Sequence, residues 1–80
     1  MIQMTVTSTE ILARENGKLL GKIEFVLSDN NMTLLHTYAY ESGRGIGTLL
    51  MGHAVKWANE NNYMIIPVCS FAQKYLKKIE

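Results

Sequence analysis

Apolar and polar residues alternate from the first positions of the chain, with Ile2, Met4 and Val6 interleaved among Gln3, Thr5 and Thr7. A period of two puts each set on its own face of a pleated backbone, which predicts a strand. Residues 11–15 and 18–27 flank Asn16-Gly17, and Leu20, Ile23, Phe25 and Leu27 supply the second run with apolar and β-branched side chains. Asn-Gly tolerates the positive φ angles of a type I′ turn, so the two runs predict a hairpin. Ser28-Asp29-Asn30-Asn31 reads as a second turn, leading into residues 32–40, where Thr, Tyr and Leu predict another strand. The first half is thus an antiparallel meander of three or four strands.

From Ile46 the period changes. Ile46, Leu49, Leu50, His53, Ala54, Trp57 and Ala58 recur at spacings of three and four, while Lys56, Asn59 and Glu60 fall on the wet side. That is the stripe of an amphipathic helix. Asn61-Asn62 ends it, because Asn accepts the left-handed conformation at a helix C-terminus. Residues 63–68 form a short apolar run whose length favours a strand, and Pro67 places that strand at an edge or in a splay. Residues 70–78 predict a last helix with Phe71, Ala72, Tyr75, Leu76 and Ile79 on one stripe. The order implies a parallel crossover from residues 32–40 to 63–68 around the central helix. The expected fold is α+β, a mixed and mostly antiparallel sheet of about five strands with two helices.

Composition narrows the classes. Eighty residues suffice for one domain, 1–80, with a modest core. The net charge of +1 leaves no basic excess for nucleic acid, so no nucleic-acid partner is expected. Apolar runs such as residues 64–69 are too short to span a bilayer, so no membrane partner is expected either. Residues 1–9 lack the apolar block of a signal peptide, and the single cysteine, Cys69, excludes an internal disulfide. Together these predict a cytoplasmic location.

The chemistry concentrates in Gly43-Arg44-Gly45-Ile46-Gly47, between a predicted strand and a predicted helix. Alternating glycines open backbone conformations closed to other residues and let a ligand approach the main chain. The unpaired N–H groups of the first helical turn, at the positive end of the helix dipole, make an anion site. Arg44 adds charge and Thr48 a hydroxyl. No Gly-Lys-Ser/Thr ending follows, and position 48 is Thr where a dinucleotide fingerprint needs Gly. The same glycines also suit close packing of strand on helix, and spacing alone leaves both readings open.

Gly43-Arg44-Gly45-Ile46-Gly47-Thr48-Leu49-Leu50 resembles the coenzyme A loop of the GNAT superfamily of acyl-CoA-dependent N-acetyltransferases. His36-Thr37 ahead of the loop, residues 58–62 behind the helix, residues 65–72 with their Pro67-Val68-Cys69, and Tyr75-Leu76 are similar to its minimal members. The resemblance implies acetyl-CoA as cofactor. The amides of Gly43, Gly45, Ile46 and Gly47, with Arg44 and Thr48, would hold the pyrophosphate. The backbone of Tyr38, Ala39 and Tyr40 would pair with the pantetheine arm in the splay beside residues 63–68. Ser70, Phe71 and Lys74 would complete the cofactor site. Ser42 stands where the superfamily usually has Gln or Arg, and the approach from His36 to Gly43 is about two residues short, both of which would loosen the grip on the phosphates.

Cys69 and His36 are the candidate catalytic residues. Cys69 falls at the predicted start of the last helix, where a thiol gains reactivity. It reads as a nucleophile or acyl carrier near the cofactor thiol, or as a small buried hydrophobe. His36 suits a general base, or a histidine satisfied within the sheet, on the strand face that Leu34 and Tyr38 share. His53 and Trp57 belong to the helix stripe and read as packing. Two histidines and one cysteine so far apart predict no metal. Tyr75 stands one position from the superfamily's tyrosine slot, about 100° around the helix, so it reads as packing too. Lys74, Lys77 and Lys78 read as a solvated face, from which Lys74 can reach phosphates. The expected activity is acetyl transfer from acetyl-CoA to a primary amine, in a small molecule or a protein or peptide, by a monomer or homodimer. The alternative is a non-catalytic coenzyme A-binding carrier or sensor. Thr7-Ser8-Thr9 leaves no room for helices after the first strand, so the acceptor groove is expected to be open or completed by another subunit.

Overall fold

The computed structural model describes residues 1–78; Ile79 of the expected helical stripe and the side chain of Lys78 lie outside the described residues. In chain order the elements are β1 (Gln3–Val6), β2 (Glu10–Glu15), β3 (Lys18–Ser28), β4 (Asn31–Ala39), α1 (Ile46–Glu60), β5 (Met64–Pro67) and α2 (Ser70–Lys78). One five-stranded sheet takes them in the order β1-β2-β3-β4-β5. The first four pair antiparallel, and β5 joins β4 in parallel after the crossover through α1.

Local chemistry explains each junction. Asn16 and Gly17 sit at φ 54° and 79°, as the type I′ turn between Glu15 and Lys18 requires. The Met64 and Val68 amides donate to the carbonyls of Asn30 and Leu34 at 2.7 and 3.1 Å. Even-numbered amides of β5 thus face β4, and the ring nitrogen of Pro67 faces outward. Its missing donor costs no ladder bond and blunts the exposed edge.

Ile11, Leu20, Ile23, Phe25, Met32 and Leu34 from the sheet pack against Ile46, Leu50, Met51, Ala54 and Ala58 from α1, and Ala72 from α2. Each such large side chain contributes about 1.5–3 kcal/mol when fully buried. Both helices therefore cover one face of the sheet. Ile46, Leu50, Ala54 and Ala58 of the expected stripe on α1 are buried, but the stripe is rotated toward Gly47 and Met51, which are buried too, and Leu49 is 44% exposed. His53 is not in the core; it is half-buried on a helix flank, lining a groove of about 420 Å³ with Met4 of the edge strand β1 and with Ile2 just ahead of it. The reason is the second helix, which packs on the Gly47 side, while the short strand β1 leaves the Leu49 and His53 flank overhanging the sheet edge.

Gly21 seats α1. A Cβ there would lie 2.5 Å from the Tyr38 carbonyl oxygen and 2.9 Å from Ile46 Cγ2. Only a bare backbone lets the first turn of α1 approach β3 this closely.

Candidate functional site

The glycine turn opens α1 without a lid. Gly43 and Gly45 sit at φ 79° and 67°, the left-handed region where a side chain is strained. Gly45 is the N-cap, no side chain caps the helix, and its first turn carries no acidic residue. The Leu49 amide is the first to find a helical acceptor, the Gly45 carbonyl at 3.0 Å. The amides of Ile46, Gly47 and Thr48 are left pointing out of the helix end, an arrangement that receives an anion.

Beside this helix end β4 and β5 part. Their pairing runs from Asn31↔Met64 to Leu34↔Pro67 and stops. The Leu34 carbonyl accepts from both Val68 and Cys69, at 3.1 and 3.2 Å, and closes the ladder. Beyond it lies a cavity of about 360 Å³ between residues 35–38 of β4 and residues 68–71. The backbone of β4 past Leu34 has no strand beside it on that side.

A β-bulge turns the side chains here. Glu24 pairs with His36 but Phe25 pairs with Leu34, so Leu35 is the extra residue. The expectation that His36 shares a face with Leu34 is therefore corrected. Leu34 is in the core, whereas His36 and Tyr38 point from the open face, their rings 6.1 Å apart. Thr37 takes the inner side instead, its hydroxyl 3.4 Å from the Cys69 thiol. Alternation alone had given Thr37 no role. The doublet Leu34-Leu35, which breaks the alternation, was the available signal for the bulge.

Cys69 is half-buried and immediately precedes α2. Its sulfur accepts the Ala72 amide at 3.4 Å, so the thiol acts as the side-chain cap of that helix. Phe71 lies across α1, where a Cβ on Gly47 would sit 2.7 Å from its ring. Thr48, Phe71, Lys74 and Tyr75 line a smaller cavity of about 190 Å³ between the two helices, and the Tyr75 hydroxyl packs 3.6 Å from where a Gly52 Cβ would stand.

Three expected ligands are placed differently from the rest. Arg44 is turned away from the helix end, its Nη1 donating to Glu15 at 2.9 Å and to Glu41 at 3.2 Å. The Tyr40 amide is committed to the Leu20 carbonyl at 2.8 Å, toward β3 and away from the splay. Ala39 lies past the residues that line the cavity. Among the described residues, no group of three His, Cys, Asp or Glu side chains is placed to hold a metal ion.

On the open face, Lys22 bridges Glu10 and Glu24 at 3.0 and 3.4 Å and lies over the Tyr38 ring. The Glu10 hydrogen bond first, and both carboxylate charges, hold the Lys22 ammonium above the usual lysine range against the opposing effect of burial.

The family model described as GCN5-related N-acetyl-transferase matches residues 8–80. The chain belongs to the GCN5-related N-acetyltransferase family. That family uses acetyl-CoA. Among solved structures, this acetyltransferase-family chain is similar to the PaiA N-acetyltransferase of Thermoplasma acidophilum in complex with coenzyme A, with a TM-score of 0.69 and 21% identity. The likeness covers 88% of this chain and 48% of that one, so the chain spans about half the length of its structural relative. It shows that the acetyltransferase fold is shared. No curated protein matches the chain. No helix among the described residues is long and apolar enough to cross a membrane.

Proposed function

We propose that the chain transfers an acetyl group from acetyl-CoA to a primary amine, and that residues 1–80 form one minimal domain for this purpose. The observation that carries the reading is the uncapped N-terminus of α1 opening beside the splay of β4 and β5. The cofactor supplies an acetyl thioester. The amides of Ile46, Gly47 and Thr48 bind its diphosphate, with the Thr48 hydroxyl and Lys74 at the rim. The unpaired edge of β4 offers hydrogen bonds to the pantetheine arm. Thr37 and Cys69 line the end of the cavity where the thioester is expected, and Phe71 closes it against α1.

His36, on the open face, receives the proton of the acceptor ammonium. The acceptor nitrogen would then bond to the acetyl carbon, the carbon–sulfur bond would break, and the proton shed by the acylated nitrogen would pass to the departing thiolate. The uncovered sheet face beside His36 admits the acceptor from solvent. Cys69 supports the site through its cap on α2 and its contact with Thr37.

Titration with coenzyme A followed by NMR tests the cofactor reading, with shifts expected at residues 43–48. Their absence overturns it. Acetyl-CoA with a panel of amines, read by thiol release, tests turnover; binding without turnover favours a carrier or sensor. Cys69→Ser keeps a cap oxygen and Cys69→Ala loses it, at a cost of about 1 kcal/mol. Activity retained in the serine variant assigns Cys69 the supporting role, whereas its loss with a normal fold assigns the thiol an acyl-carrier role.

A further inference from the structure

Arg44 is the charged residue of the glycine turn, and it ties that turn to two other segments. Glu15 ends β2 at the Asn-Gly hairpin, and Glu41 follows the end of β4. Both accept from the same Nη1, at 2.9 and 3.2 Å. Glu15 also lies 3.5 Å from the Met1 amino group, and Glu41 3.9 Å from Lys18. The Arg44 side chain is 38% exposed, so water and ligands reach it. One residue, Gly45, separates Arg44 from Ile46, whose amide is the first of the free donors of α1. The backbone of Arg44 thus adjoins the anion site on those amides, while its guanidinium is held on the two carboxylates.

Two negative charges thus stand against the one positive charge that the turn offers to a phosphate. We propose that Glu15 and Glu41 set the affinity of this loop for the cofactor diphosphate by competing with it for Arg44. The inference rests on the coenzyme A reading above. In the free chain the carboxylates hold the guanidinium toward the hairpin. Diphosphate binding draws the guanidinium across, and the two carboxylates oppose it by like charge. Glu15 and Glu41 are then affinity-setting residues, and Arg44 is a phosphate ligand withheld until the cofactor arrives.

Calorimetric titration of Glu15→Gln and Glu41→Gln separates this from a merely structural ion pair. Each variant is expected to bind coenzyme A about two- to fivefold more tightly at low salt, a gain that shrinks as salt is raised. Pantetheine, which lacks the diphosphate, is expected to bind both variants and the unaltered chain alike. The gain is expected to vanish in an Arg44→Gln background and to be absent in Glu60→Gln, at the far end of α1. Unchanged or weaker coenzyme A binding in both variants overturns the inference, as does an equal gain for pantetheine or a gain that survives Arg44→Gln. If the unaltered chain binds no coenzyme A, the cofactor reading falls. Inorganic pyrophosphate, titrated on the same variants, then decides the competition alone: a gain supports it, and none overturns it.

Discussion

The two ends of α1 are built on opposite plans. At its C-terminus the orphan carbonyls are closed by the chain itself. Tyr63 donates to Ala58 at 2.8 Å, Asn62 to Asn59 at 3.4 Å, and the Asn61 side chain to Trp57 at 2.9 Å. Asn62, at φ 62°, makes the left-handed step of this Schellman closure. At the N-terminus a left-handed Gly45 leads into the helix and no side chain caps it. The chain closes one end of this helix with its own groups and leaves the other open. An open end costs unsatisfied donors unless water or an anion takes them. The asymmetry supports the proposal that the N-terminus is the end that receives the cofactor.

The comparison is broken most severely at Gly21, which seats that end on the sheet. Gly21→Ala drives a Cβ into the Tyr38 carbonyl and the Ile46 side chain. The expected cost is about 3 kcal/mol, at the upper end for overpacking, read as a fall in Tm. A Tm close to that of the unaltered chain would show that α1 is free to lift from β3.

Substitutions at the two left-handed residues sharpen the contrast. Gly45→Ala is expected to cost about 1–2 kcal/mol from its positive φ and to weaken coenzyme A binding at least about tenfold, since the turn must reshape where the anion sits. Asn62→Ala is expected to cost about 1 kcal/mol and to leave coenzyme A affinity unaltered, while Asn62→Gly restores the stability. Equal effects of Gly45→Ala and Asn62→Ala on binding would erase the distinction between the ends.

Much of this was legible beforehand, and the rest failed for identifiable reasons. The Asn16-Gly17 hairpin, the Asn61-Asn62 stop and the edge position of Pro67 each follow from the backbone preference of one or two residues, which acts locally, and the crossover follows from the order of the elements. The face of His36 did not follow, because a single bulge at Leu35 inverts every side chain beyond it and is decided by pairing with β3. The burial of α1 did not follow in detail, because α2 covers a flank that the apolar period alone assigns to solvent. Arg44 was read from its position in the turn, whereas its partners Glu15 and Glu41 lie 29 and 3 residues away in sequence. Gly21 carried a signal, a glycine inside a strand, that only the approach of α1 explains.

Acid offers the smallest and most discriminating perturbation, because the ends of α1 differ in charge as well as in closure. The C-terminal closure is made of neutral groups, whereas the turn at the other end is anchored by Arg44 on carboxylates. The hydrogen bond from Arg44, aided by its charge and by the Met1 amino group, holds the Glu15 carboxyl below the ordinary value of 4.5, against the opposing effect of burial. A carboxyl lowered in the folded chain binds fewer protons there than in the unfolded one, so the stability it adds rises with pH across that interval. The contribution is complete above 4.5 and is lost as the pH falls through the lowered value. Hydrogen exchange followed by NMR from neutral pH to pH ~3 is expected, after correction for intrinsic exchange, to show protection falling at the first hydrogen-bonded amides of α1, residues 49–51, before residues 58–63. Glu15→Gln should flatten that response at residues 49–51 and leave the far end unaltered. Protection lost first at residues 58–63, or a response at residues 49–51 that survives the substitution, would show that the carboxylate anchor does not govern the open end.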